Sequence, residues 1–162
     1  MKKIAFIIVL VALTSCFGVE PQKTGKEGKS MPDFNIQLAD GNMLHTRDIP
    51  TGKPIVLFYF SPYCPYCKAL TEDIIEDMDD LKELQFYFVT TLGTQDLKQF
   101  AKEHQLAKYP NIFTGLDTAR YINEYFGPRG IPYTAVFSKD KILNKTFVGK
   151  IGTGRILKAA KE

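Results

Sequence analysis

The stretch that most constrains this chain is Cys64-Pro65-Tyr66-Cys67, which closely follows an apolar run at 55–60. That run, Ile55-Val56-Leu57-Phe58-Tyr59-Phe60, has no alternation. It predicts a strand covered on both faces, central in a largely parallel sheet. Pro65 fits the first position of a helix, where a missing N–H costs nothing. Cys67, Leu70, Ile74, Met78 and Leu81 then recur at spacings of three and four. Glu72, Asp73, Glu76, Asp77 and Asp80 take the other side, so the pattern predicts one amphipathic helix of three to four turns with a solvated acidic face. A buried strand that delivers a Cys-x-x-Cys pair to a helix N-terminus is the setting of a thiol–disulfide redox centre.

In such a centre only a thiolate attacks. The helix start, with its dipole and unpaired N–H groups, favours negative charge at Cys64. Cys64 is therefore read as the nucleophile that forms a mixed disulfide, and Cys67, one turn in and more buried, as the resolving thiol. Tyr66 reads either as shaping access to the pair or as packing on Tyr63 or Tyr133. The 162 residues suffice for one domain. The formal charge of +3 falls to +1 without Lys2 and Lys3, which gives no electrostatic case for a nucleic-acid partner.

The third cysteine has a different setting. Met1-Lys2-Lys3 is a positive n-region, and residues 4–13 are an apolar run too short to span a bilayer. Leu13-Thr14-Ser15-Cys16 resembles the bacterial lipobox, in which the cysteine is lipidated and becomes the mature N-terminus. The expectation is a lipoprotein signal peptide at 1–15 and a lipid anchor on Cys16; an ordinary secretory signal cleaved near Ser15 is the plainer alternative. Residues 17–30, FGVEPQKTGKEGKS, lack apolar periodicity. With Cys16 they read as a lipid-anchored flexible tether, 16–30.

The folded domain is expected at 31–162. Phe34, Ile36 and Leu38 alternate as in a half-buried strand, Asp40-Gly41 signals a hairpin, and residues 43–45 return. Residues 84–90 form a second apolar strand. Thr94 is expected to cap a helix whose Leu97, Phe100, Ala101 and His104 share a face. A short strand follows at 112–113. A short helix capped by Asp117 or Thr118 ends at Gly127. Residues 133–138 and 142–148 read as strands joined by Lys139-Asp140-Lys141, and 155–161 as a terminal helix. Strands alternating with helices indicate an α/β layer fold.

Three stretches, PDF at 32–34 with DG at 40–41, GKPIVLFYFSPYCPYC at 52–67 and YFGPRGIPYTAVF at 125–137, resemble the thioredoxin superfamily. Within it the chain is similar to the TlpA/ResA-like membrane-anchored members. The resemblance implies a thioredoxin-like fold with an N-terminal β-hairpin extension and a central mixed sheet flanked by helices. It implies a cis Pro132 beside the redox pair, with the Ile131 backbone left to pair with an extended substrate peptide, a form of strand addition. Tyr63, Pro65 and Tyr66 would complete the substrate surface. The implied protein is a monomer without cofactor, facing the periplasm from a bacterial membrane. It would exchange disulfides with extracytoplasmic proteins, more as reductant than oxidant, and draw on a membrane-bound electron donor.

The chain departs from that pattern. Tyr63 stands where Trp is usual before the first cysteine, and Phe58 where a buried acid often lies. Proton transfer at Cys67 is then left to water, Glu72 or Asp73. The Pro-Tyr dipeptide matches glutaredoxins, without their Gly-Gly near the chain end. Two rival functions remain. A peroxiredoxin-like thiol peroxidase fits Ser61, three residues before Cys64, but not Leu57, seven before, where that family has Pro. A copper chaperone could use two thiolates, with only His45 and His104 available. His104 reads as packing and His45 as a surface residue, so no metal is assigned. Zinc would lack two ligands. A binding module without turnover is disfavoured because both cysteines of the pair are present.

Overall fold

The computed structural model describes residues 19–162. The signal segment and Cys16 lie outside the described residues. β1 (Asn35–Leu38) and β2 (Met43–His45) form the expected hairpin, with Ile36 opposite Leu44. β3 (Ile55–Tyr59) leads to α1 (Pro65–Glu76) and α2 (Met78–Leu81). Next come β4 (Gln85–Thr90), α3 (Thr94–Glu103), β5 (Ile112–Leu116) and α4 (Tyr121–Phe126). β6 (Tyr133–Phe137), β7 (Leu143–Val148) and α5 (Thr153–Ala160) complete the domain.

Among the described residues, seven strands make one mixed sheet in the order β2-β1-β5-β4-β3-β6-β7. β3 is its buried centre, parallel to β4 and antiparallel to β6. The apolar run correctly marks a strand covered on both sides, but only β3-β4-β5 are mutually parallel. The hairpin reaches β5 because Gly115 has no side chain: a Cβ there would lie 2.3 Å from Ile36 Cγ2. Thr46 ties the hairpin down, accepting the Phe34 N–H at 2.9 Å and donating to Pro32 O at 2.7 Å.

Two cores result. One side of the sheet holds Phe58, Phe60, Phe86 and Phe88 with Cys67, Leu70 and Ile74 of α1, Leu97 and Phe100 of α3, and Ile156 of α5. The other holds Ile55, Leu57, Tyr87 and Tyr133 with Phe34 and Ile36 near the hairpin and Ile122 and Phe126 of α4.

Local readings needed three corrections. The helix expected across 65–81 breaks at Asp77, whose φ of −93° and ψ of 17° end α1. The Asp77 carboxylate accepts the Thr153 hydroxyl at the start of α5. The apolar spacing runs on through the break because Met78 and Leu81 still face the core. Thr94 does not cap α3; Gly93 is the N-cap and Thr94 the first helical residue. Asp117 serves α4 from a distance, its buried carboxylate accepting the N–H groups of Tyr121 and Ile122 at 2.9 and 2.8 Å.

The third correction concerns the expected tether. Gln22 N–H donates to Thr146 O, Gly28 N–H to Leu143 O, Leu143 N–H to Lys29 O and Met31 N–H to Lys141 O, all within 2.9 Å. The Thr146 hydroxyl donates to Gln22 O at 2.7 Å, and Lys26 lies over the Tyr125 ring. Residues 22–31 are thus a strap along β7, which would otherwise present an open sheet edge. Backbone pairing with interruptions leaves no side-chain period, so the composition reads as linker.

Candidate active site

β3 carries the chain to the carboxyl edge of the sheet, where a turn closes with Cys64 N–H on Ser61 O at 3.0 Å. Cys64 is the N-cap of α1, with extended φ and ψ of −80° and 120°, and Pro65 follows inside the helix. The N–H groups of Cys67 and Lys68 both donate to Cys64 O at 3.1 Å. The cap position is therefore filled by a sulfur-bearing residue whose side chain makes no capping bond. Its thiol is left to face the helix start.

The two thiols are free and their surroundings differ. Cys64 is half-buried, and Cys67 is fully buried among Leu70, Phe58 and Phe60 of the first core. Burial pushes the Cys67 thiol up to about 12, against a backbone hydrogen bond from Ser61 that favours the thiolate; the neighbouring Cys64 thiol raises it further. Removing a charged sulfur from water is the dominant cost. Cys67 thus holds its proton at neutral pH in the reduced pair.

The Ile131-Pro132 peptide bond is cis. Cys64 Sγ lies 4.0 Å from Ile131 O, and Gly149 N–H holds Pro132 O at 2.7 Å. The fold so brings together residues separated by 67 positions. Tyr63 and Tyr66 flank the pair with 70% and 65% of their surface exposed. Tyr66 has no ring partner among the described residues, and Tyr133 is buried on the opposite face of the sheet. Packing of Tyr66 on Tyr133 is excluded on that ground.

Sequence reading missed Asp96. Its Oδ1 accepts the Tyr63 hydroxyl at 2.6 Å, and the carboxylate raises the Tyr63 phenol above its ordinary range by that bond and by its charge. Pro62, Lys68, Gln99 and Glu103 line a small cleft with this pair. No local signal could have found a contact across 33 residues. Thr134 was missed too: it stands opposite Phe58 on the Cys67 face, fully buried with its hydroxyl unpartnered.

Neither Glu72 nor Asp73, the proton acceptors named from sequence, is among the groups that act on the Cys67 thiol. Asp73 is paired with Lys150 at 2.8 Å, and Glu72 acts on His104. His104 packs on the Phe100 ring, 4.4 Å between centroids, and burial lowers its affinity for a proton. His45 sits on β2, away from both. Among the described residues, no group of three or more His, Cys, Asp or Glu side chains stands together as a metal site would need.

Comparison with known proteins gives the same picture. Residues 26–161 match the Redoxin family. The methylamine utilization protein MauD of Methylophilus methylotrophus is 35% identical over 81 residues, covering 49% of this chain and 37% of that protein. The chain thus spans little more than a third of that relative's length. The exposed lipoprotein thioredoxin Etrx1 of Streptococcus pneumoniae superposes with a TM-score of 0.63 at 24% identity, over 80% of this chain and 98% of that one. The thioredoxin domain of a thiol-disulfide oxidoreductase from Bacteroides vulgatus gives 0.65 at 16% identity, over 83% and 95%. A cysteine pair at a helix start, a cis-proline beside it and a match over most of the length lead to one conclusion: this chain belongs to the Redoxin family and has a thioredoxin-like fold.

Proposed function

We propose that the chain is a cell-envelope thiol–disulfide oxidoreductase that exchanges disulfides with extracytoplasmic proteins, working as a reductant. The observation that carries this is the asymmetry of the pair. Cys64 is accessible at a helix N-terminus, 4.0 Å from Ile131 O, while Cys67 is buried behind it. In the reductive direction the Cys64 thiolate attacks a substrate disulfide and releases one substrate thiolate, which takes up a proton. Cys67 then loses its proton, attacks Cys64 Sγ, and expels the second substrate thiolate. The enzyme ends as the disulfide and the substrate as the dithiol. A membrane-bound dithiol donor would restore the pair.

The envelope location rests on the n-region, the apolar run and the lipobox-like Leu13-Thr14-Ser15-Cys16. A lipid anchor on Cys16 fits the lipoprotein named among the structural neighbours. No helix among the described residues is long and apolar enough to cross a membrane. The direction is tested by equilibrating the pair with glutathione or dithiothreitol. A potential near about −270 mV supports a reductant, and one near about −120 mV makes it an oxidant. Trapping envelope proteins on a Cys67→Ala variant identifies the substrates. Peroxide consumption without disulfide exchange would move the reading to a thiol peroxidase.

A further inference from the structure

Resting on the disulfide-exchange reading, we infer that the N-terminal end of the strap backs the substrate loop, and that Thr146 is a positioning residue whose clasp on Gln22 keeps Ile131 aligned with Cys64. Ile131 O lies 4.0 Å from Cys64 Sγ, in the stretch that joins α4 to β6. The end of β7 supports it from both flanks. On one side, Pro132 O accepts the Gly149 N–H at 2.7 Å and Tyr133 pairs with Val148. On the other, a Cβ at Gly130 would lie 3.4 Å from Val148 Cγ1. The strap lies outside β7, and Pro21 and Gln22 border one hollow with Arg129 and Val148. The strap end thus reaches the loop that carries Ile131.

The two ends of the strap are held differently. Residues 28–31 form a backbone ladder, with Gly28 N–H on Leu143 O, Leu143 N–H on Lys29 O and Met31 N–H on Lys141 O. The other end is held at Gln22, whose N–H donates to Thr146 O at 2.8 Å and whose carbonyl accepts the Thr146 hydroxyl at 2.7 Å. Thr146 is fully buried, and the single proton of its hydroxyl is committed to this bond. Two buried oxygens at the same junction have no partner, Gln22 Oε1 and the Tyr133 hydroxyl. Tyr133 follows cis-Pro132, and the charge of Glu27 on the strap acts on it. Unpaired buried polar groups oppose closure. The balance here therefore rests on the Thr146 clasp, and losing it frees this end while the ladder keeps the rest of the strap on the sheet.

The consequence falls on binding. With the strap end released, Val148 and the Arg129 side of the loop lose their outer neighbour, and the loop gains freedom. A substrate strand that pairs with Ile131 must then order the loop as it binds, and that ordering opposes association. A small disulfide makes no strand pairing and meets only Cys64. The clasp should therefore govern affinity for protein disulfides and leave the thiol chemistry alone.

The test opens the clasp in the full chain. Gln22→Pro removes its N–H donor and Thr146→Val its hydroxyl. In the double variant KM for insulin should rise about fivefold or more, the effect of about one lost hydrogen bond. Its kcat, its Cys64/Cys67 potential and its rate with dithiobis(nitrobenzoate) should match the parent. Thr146→Ser alone, which keeps the hydroxyl, should hold the parent KM. By hydrogen exchange, the Gly149 amide should open about fivefold faster in the double variant, while Gly28, in the ladder, should not change. An unchanged KM for insulin overturns the inference. So does an equal loss of rate with the small disulfide, or a Thr146→Ser variant that behaves like Thr146→Val. If the parent reduces no protein disulfide, the functional reading falls instead and exchange decides the coupling. Faster opening at Gly149 with Gly28 unchanged keeps the clasp as a positioning device; equal rates at Gly149 remove it.

Discussion

The two faces of the sheet are built from different aromatic chemistry. On the α1 side the fully buried rings are phenylalanines: Phe58 meets Phe88 edge-on at 4.7 Å, and Phe60 meets Phe100 at 4.6 Å. On the α4 side tyrosines enter, with Tyr121 stacked on Phe34 at 4.9 Å and Tyr133 against Phe126 at 5.8 Å. The polar groups do not divide as cleanly. Asp117 and Thr46 on the second side are hydrogen bonded, yet the buried Tyr133 hydroxyl there has no partner, as Thr134 has none on the first. What sets the first face apart is the thiol: Cys67 lies buried among its phenylalanines. Burial, more than any single contact, keeps that thiol protonated.

Substitutions on opposite faces should therefore separate chemistry from folding. Cys64→Ala should lower insulin-disulfide reduction by about 10³-fold or more, because no second group supplies the nucleophile. Its denaturant midpoint should stay near that of the parent. Ile122→Ala, fully buried on the α4 side, should do the reverse. It should cost about 3 kcal/mol by urea titration and leave the exchange rate per folded molecule unchanged. Loss of activity in folded Ile122→Ala would break the division between the faces.

The raised Cys67 thiol gives the comparison a pH signature. In the unfolded chain this thiol ionises near its ordinary value of 9.0, and in the folded protein near about 12. Between these values the unfolded state has released a proton that the folded state retains, so stability falls as pH rises through that window. Below it the group has no effect. Tyr87, also raised to about 12 by burial, adds a similar slope, so the readout is the difference between the reduced parent and Cys67→Ala. A parent midpoint that falls more steeply above pH 9 supports the dry face; parallel curves contradict it. The mixed disulfide on Cys64 should also resolve faster with rising pH, by about tenfold per unit, since only ionised Cys67 attacks.

Thr134→Val probes the same face at smaller scale. Replacing a buried, unpartnered hydroxyl with a methyl of the same shape should stabilise the protein by up to about 1 kcal/mol. A loss of similar size would mean that the hydroxyl holds a buried water, and that the face is not dry.

What sequence could reveal follows from how far each signal travels. The covered strand at 55–59, the cysteine pair, Pro65 and the stop at Gly127 are written in neighbouring residues, and the fold places them as expected. Pro132 was identified through resemblance, since nothing local sets its isomer. The break at Asp77 was hidden because Met78 and Leu81 continue the apolar spacing after the helix axis turns. The strap was hidden because its ties are backbone bonds to a strand more than a hundred residues away. Asp96 falls in the same class, one acid among many on helix surfaces until α3 is packed beside the Cys64 loop.

Tyr63 and Asp96 give the smallest effect and the sharpest question about access. The bond is exposed, so its share of stability should be small; Tyr63→Phe should leave the denaturant midpoint nearly unchanged. Its value lies in position. The ring stands beside Cys64, and the carboxylate of α3 fixes where it points. Losing the hydroxyl should raise KM for a protein disulfide a few-fold while kcat holds. Asp96→Asn, which keeps an acceptor but drops the charge, should change KM less. Because the two residues act through one bond, Tyr63→Phe with Asp96→Ala should cost no more than the larger single change. Additive costs would mean that each residue touches substrate alone, and that the α3 side of the cleft is a recognition surface in its own right.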